Sequence, residues 1–163
     1  DDFSAWDYAR NLRLTLPPGS AAVVRGDTAL FSLQLTAPDR ELVSDLEDDV
    51  PAWLAARGRS GRPLFAVGVP SENLAAFERR VPAGLALSLD GRGSADMWAL
   101  YAIRRGRALE ARESYARDPA LSYAFAHAAA SRFEEAAGRD GTAHALAAAA
   151  WDPEDFSLRF SRF

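Results

Sequence analysis

Chemistry on this chain has few places to start. The only imidazoles, His127 and His144, lie 17 residues apart in alanine-rich segments. A helix hairpin would bring them together, yet neither shares an HxxxH or HExxH spacing with an Asp or Glu, and a metal site needs three or four convergent ligands. Helix packing is the reading for both. Gly26-Asp27-Thr28 follows an apolar run and opens a helix, where free N–H groups can hold an anion. No GxGxxG or Walker pattern accompanies it, and Asp27 would repel a phosphate. These three residues stand as weak ligand-binding candidates beside the plainer reading of an Asp-Thr helix cap. Glu41, Asp45, Glu47, Asp48 and Asp49 form an acidic run. Paired carboxylates cleave glycosides when suitably separated, but a run on one loop reads as a solvated face. Arg104, Arg105, Arg107 and Arg112 could meet lipid headgroups, although Glu110 and Glu113 among them point to an ion-paired helix surface. Ser60 and Ser71 lack a nucleophile-elbow context. No catalytic residue, metal ligand or cofactor is assigned.

Composition narrows the field. The chain has 163 residues, 48% hydrophobic and 26% charged, enough for a substantial core. A net charge of −4 argues against a nucleic-acid binder, which carries a basic patch. All 19 basic residues are arginine, which reads as compositional bias. There is no cysteine, hence no disulfide framework or thiol nucleophile, though this leaves the compartment open. The longest nearly apolar stretch, Ala143 to Trp151, falls well short of the roughly 20 residues that span a bilayer. The start at Asp1-Asp2-Phe3 suggests an excised or processed segment.

The elements that would position these residues alternate. Ser4 and Asp7 resemble a capping box, and Trp6, Ala9, Leu12 and Leu16 follow at helical spacing until Pro17-Pro18-Gly19. Ala21 to Val24 suits a buried strand, Thr28 to Leu35 a helix packing through Leu30, Phe31 and Gln34, Glu41 to Leu46 a weak strand, and Val50 to Arg57 a short helix. Pro63 to Val69 is a continuous apolar run of the kind found in sheets covered on both faces. Ser71 to Val81 reads as a helix with Leu74 and Phe77 inward, and Gly84 to Leu89 as a strand. The expectation is an α/β fold: a small, mostly parallel sheet of three or four strands with flanking helices, forming a Rossmann-like unit over 1–92. Residues 93–163 form a second, helical unit, with helices over Ala95–Ala116, Ala120–Ala137 and Thr142–Trp151. Asp118-Pro119 and Asp152-Pro153 stand 34 residues apart, the tetratricopeptide period, although two helix ends could share that spacing by coincidence. The tail Phe156 to Phe163 alternates apolar and polar side chains and could add an edge strand or lay its aromatics on the core. Trp6, Trp53, Trp98 and Trp151 each fall on the apolar face of a predicted helix, so burial is expected rather than sugar stacking.

The order Tyr8-Ala9-Arg10-Asn11-Leu12, Leu16-Pro17-Pro18-Gly19, Gly26-Asp27-Thr28 and Phe31-Ser32-Leu33-Gln34 resembles one family. It is the domain-of-unknown-function 2723 family of polytopic membrane proteins, related to protein O-mannosyltransferases. Arg62-Pro63-Leu64-Phe65, Glu72-Asn73-Leu74 and Gly84-Leu85-Ala86-Leu87 continue the likeness, which spans roughly residues 5 to 90. The chain departs from the pattern where Thr28 directly follows Asp27, where Ser32 replaces a proline, and where a Trp-Tyr pair is missing. The resemblance implies a domain on the periplasmic or extracellular face, tethered to a glycosyltransferase-like membrane body that would hold any sugar-transfer chemistry. Helical repeats after it would suit that arrangement.

Three functions follow as expectations. The first is a non-catalytic accessory or interaction domain whose partners are the membrane portion of the same polypeptide and a protein or glycan acceptor. The second is a freestanding doubly wound nucleotide- or sugar-binding domain or enzyme. The third is a helical-repeat adaptor.

Overall fold

The computed structural model describes residues 4–92, 95–104 and 114–152. Its sheet is built on β1 (Ala21–Val24), flanked in parallel by β2 (Glu41–Ser44) and β3 (Leu64–Val67). Every residue of β1 and β3 is buried. Their side chains divide by alternation, as a strand requires. Ala22, Val24, Phe65 and Val67 enter one core layer, while Ala21, Val23, Leu64 and Ala66 enter the other. That two-sided burial is why the sequence shows unbroken apolar runs here.

Helices cover both faces. On the first face, α1 (Ser4–Thr15) and α2 (Asp27–Thr36) contribute Tyr8, Leu12, Ala29 and Leu33. On the other, α3 (Val50–Arg59) contributes Leu54, joined by Leu74 and flanked by Trp53 and Phe77. Arg40, just past α2, lays its guanidinium on the C-terminal carbonyl of α1. Its Nε donates to the Leu16 carbonyl at 3.0 Å and its Nη2 at 2.6 Å, where a cation opposes the helix dipole. The C-terminal ends of α1 and α2 therefore lie together, and the helices run side by side in one direction.

The sheet has five strands in the order β2-β1-β3-β5-β4, more than the three or four expected, and it is mixed rather than mostly parallel. The difference arises after β3. Ser71 to Val81 does not form a helix: a short 3-10 turn spans Ser71–Leu74, and Val81 already opens β4 (Val81–Ala83). With β5 (Ala86–Ser88) it makes a hairpin that adds antiparallel to β3. The loop is two residues, and Gly84 at its first position has φ +59°, the placement a type II′ turn demands. A Cβ there would overlap the Tyr101 hydroxyl, so glycine is required twice over. Pro82 is tolerated because β4 is the sheet's edge.

The second half also differs from expectation. Ala95–Leu100 is a 3-10 helix, and residues 101–104 continue without helix, so no helix runs unbroken from Ala95; its remainder to 113 lies outside the described residues, as does the tail. Helix α4 spans Ser114–Ala136, starting before Pro119 rather than after it. Pro119, in the second turn, removes one backbone bond and crowds the carbonyl four residues back, a local cost that the long packed remainder of the helix outweighs. Helix α5 (Thr142–Trp151) ends just before Asp152, whereas Asp118-Pro119 lies inside α4; Pro153 lies outside the described residues. The α4–α5 hairpin packs back on the sheet, with Tyr123 and Ala126 in the same core layer as α1 and α2.

Candidate functional site

The C-terminal ends of β1, β2 and β3 share one edge, and the connections leave it on opposite faces, α2 on one and α3 on the other. In open α/β sheets this switch point is where ligands bind. Gly26-Asp27-Thr28 stands there, with Gly26 at φ 89° before α2 and no side chain capping the helix. Thr28 is already engaged, its Oγ1 donating to Asp118 Oδ2 on α4 at 2.7 Å. Asp27 is exposed, and Arg25 Nε lies 3.6 Å from Asp45 Oδ2. Asp27 in the turn, Asp118 on Thr28 and Asp45 on Arg25 make an electrostatic setting that opposes a phosphate.

The acidic run is divided among separate tasks. Glu41 takes Arg57 Nε and Arg62 Nη2, each at 2.9 Å, and so ties β2 to α3 and to the entry of β3. Asp49 occupies the left-handed region immediately before α3 at φ 66°, and Glu47 and Asp48 face solvent. Ser60 Oγ donates to the Arg57 carbonyl at 2.7 Å, closing α3. Among the Arg104–Arg112 group only Arg104 lies within the described residues. Its backbone N–H and its Nε reach Asp7 Oδ2 at 2.9 and 3.0 Å, and this guanidinium holds the Asp7 carboxyl below its ordinary range. Asp7 therefore serves a partner 97 positions away.

A buried polar network on the α1 face went unanticipated. Asn11, fully buried, donates from Nδ2 to the Ala102 carbonyl and to the Tyr123 hydroxyl, both at 2.8 Å, and its Oδ1 accepts the Ala102 N–H at 3.2 Å. Tyr8 donates to Ser122 Oγ at 2.9 Å. Tyr101 contacts Thr15 and accepts the Leu85 N–H at 3.0 Å. Burial pushes the phenols of Tyr8, Tyr101 and Tyr123 upward, so they remain neutral hydrogen-bonding groups rather than acid–base catalysts. These tyrosines and Asn11 seat α4 and the 95–104 segment on α1; the network is a fastening.

The two histidines do meet, with Nδ1 of His127 on α4 2.9 Å from Nδ1 of His144 on α5. Trp98 stacks on His127 at 3.7 Å between ring centroids. Burial, with the neighbouring His144, lowers His127 to about 4, keeping it neutral at ordinary pH. Among the described residues, no three His, Asp or Glu side chains converge as metal ligands.

Among the described residues Leu46, Leu100, Ile103 and Leu146 are exposed elsewhere, and four further large apolar side chains share the outward side of α1 and α2. Trp6 is 66% exposed, Phe31 61% and Leu35 84%, with Leu14 also outward. The expected inward placement of Trp6, Phe31 and Gln34 is thus corrected: Tyr8, Leu12, Ala29 and Leu33 fill that layer and leave the opposite stripe to solvent. Trp53, Trp98 and Trp151 are partly buried against the core, as their periodicity implied. Among the described residues, no helix is long and apolar enough to cross a membrane. No family model, curated protein or solved structure matches the chain.

Proposed function

We propose that this chain is a non-catalytic accessory domain of a glycosyltransferase-like membrane protein, held on the periplasmic or extracellular face, and that it docks on the membrane body through the outer side of α1 and α2. One observation carries the reading. Four large apolar side chains, Trp6, Leu14, Phe31 and Leu35, project from two adjacent helices whose opposite stripes already fill the core. Apolar side chains grouped on one side of a domain mark an interaction surface. Arg10 and Arg13 lie on the same side of α1 and supply the polar rim usual for such surfaces. The identity of the partner rests on the resemblance read from Tyr8 to Leu87. On this reading the sugar-transfer chemistry belongs to the membrane body, and the α4–α5 hairpin, as a tetratricopeptide-like pair, presents its free side to a protein or glycan acceptor. The test is co-purification of this domain with the separately expressed membrane body. Phe31→Glu with Leu35→Glu should abolish capture while thermal unfolding stays within a few degrees of wild type. Undiminished capture by that variant would remove the docking face.

A second reading, a nucleotide- or sugar-binding doubly wound domain, draws on the switch point and on Gly26 at φ 89°. It requires a nucleoside diphosphate to bind near Asp27, with binding weakened by Gly26→Val. The carboxylates gathered there favour the first reading.

A further inference from the structure

The accessory role leaves the histidine pair unexplained. An Nδ1···Nδ1 hydrogen bond at 2.9 Å needs one nitrogen to donate and the other to keep its lone pair. It survives when both imidazoles are neutral, or when one is charged. It cannot survive two charges, because two N–H groups would then face each other inside a partly buried cluster. We propose that His127 and His144 form an acid-released latch, holding α5 against α4 and Trp98 until both rings are protonated.

The charged and aromatic surroundings of the pair are few. Glu134 on α4 lies where a charge on His144 favours its carboxylate form, and Arg139 in the α4–α5 turn is bound to that carboxylate. Helix α5 has no other ionisable residue. From the 95–100 segment the pair meets the Trp98 ring, stacked on His127 and 5.8 Å from His144. A single proton on the pair leaves the N–H···N bond in place. Charging both rings requires a proton on His127, only 8% exposed beneath the indole. Closed, that ring titrates near 4, against 6.5 when free. The closed form thus binds fewer protons than the open form between those values. The latch is intact at neutral pH, weakens as pH falls through this window, and gains no further sensitivity from His127 below it.

Opening of α5 would uncover Trp98 and the Ala148 side of the helix while leaving β1, β3 and α1 in place. The test is amide hydrogen exchange of residues 143–151 at pH 7 and 4.5, corrected for the intrinsic pH dependence of exchange. Opening of wild-type α5 should rise roughly 50-fold relative to neutral pH, the linkage expected for one proton between those two values. His127→Gln, which cannot charge at that position, should lose that dependence. Imidazole nitrogen NMR of the wild type gives a readout that needs no variant: the His127 ring should stay neutral to below pH 5. Equal α5 opening at both pH values, the same dependence in His127→Gln, or a folded-state His127 titrating near 6.5 would each overturn the latch.

Discussion

The two faces of the sheet are held by different means. The α3 face is dry: Leu54, Leu64, Val69, Leu74 and Leu89 close it with apolar side chains, and its charged contacts, Arg57 and Arg62 on Glu41, stay at the margin. The α1 face mixes an apolar layer with buried polar fastenings, in which Asn11, Tyr8, Tyr101 and Tyr123 bind α4 and the 95–104 segment. A dry face needs only suitable volume, and many sequences fill it. A polar face fixes one arrangement, since each buried donor left without its acceptor is costly. The fold thus uses apolar packing to hold its early elements and hydrogen bonds to decide where the later ones sit.

The largest test of this contrast is Asn11→Leu. It strips partners from the Ala102 N–H and carbonyl and from the Tyr123 hydroxyl, and should cost about 4 kcal/mol in urea unfolding, at about 1–3 for each unsatisfied group. Exchange in α4 should accelerate more than in α3. Leu54→Ala reverses the pattern. It should cost about 3 kcal/mol through the cavity left behind, with α3 loosened and α4 spared. If both variants loosen both helices equally, the faces are not distinct.

Much of the dry face was legible from the chain alone, because β1 and β3 announce themselves as apolar runs bounded by turns and α3 by its Trp53-Leu54 pair. The polar face was not. Asp7 and Arg104 are 97 positions apart, and Asn11 and Tyr123 are 112 apart, so no local pattern connects them. The hairpin did leave a sign, since Gly84 before Leu85 between two apolar stretches is the composition of a two-residue turn; Leu74 and Phe77, at near-helical spacing, obscured it. The outward stripe of Trp6 and Phe31 escapes the sequence for a related reason. Each helix carries apolar residues on more than one side, and periodicity alone does not say which side meets the sheet. The approach of His127 to His144 was legible only as an option open to a hairpin.

Smaller effects sharpen the same comparison. Tyr101→Phe leaves the Leu85 N–H without its acceptor and should cost about 1.5 kcal/mol, seen as faster exchange at the β4–β5 turn and little change at α3. His127→Gln should narrow the difference in stability between pH 7 and pH 4.5. The wild type loses stability as acid charges a ring that is neutral when folded, and the variant has no such group. Phe31→Ser, on the outward stripe, should change unfolding by less than about 0.5 kcal/mol, since that side chain closes neither face.

The docking surface is reached most directly by a photo-crosslinking amino acid placed at position 31 of the intact membrane-borne protein, with a control at the solvent-facing position 48 beyond β2. The account predicts an adduct between position 31 and a membrane-embedded segment, and none from position 48. An adduct from position 48 alone, or none from either site in a protein that is folded and membrane-borne, would contradict it.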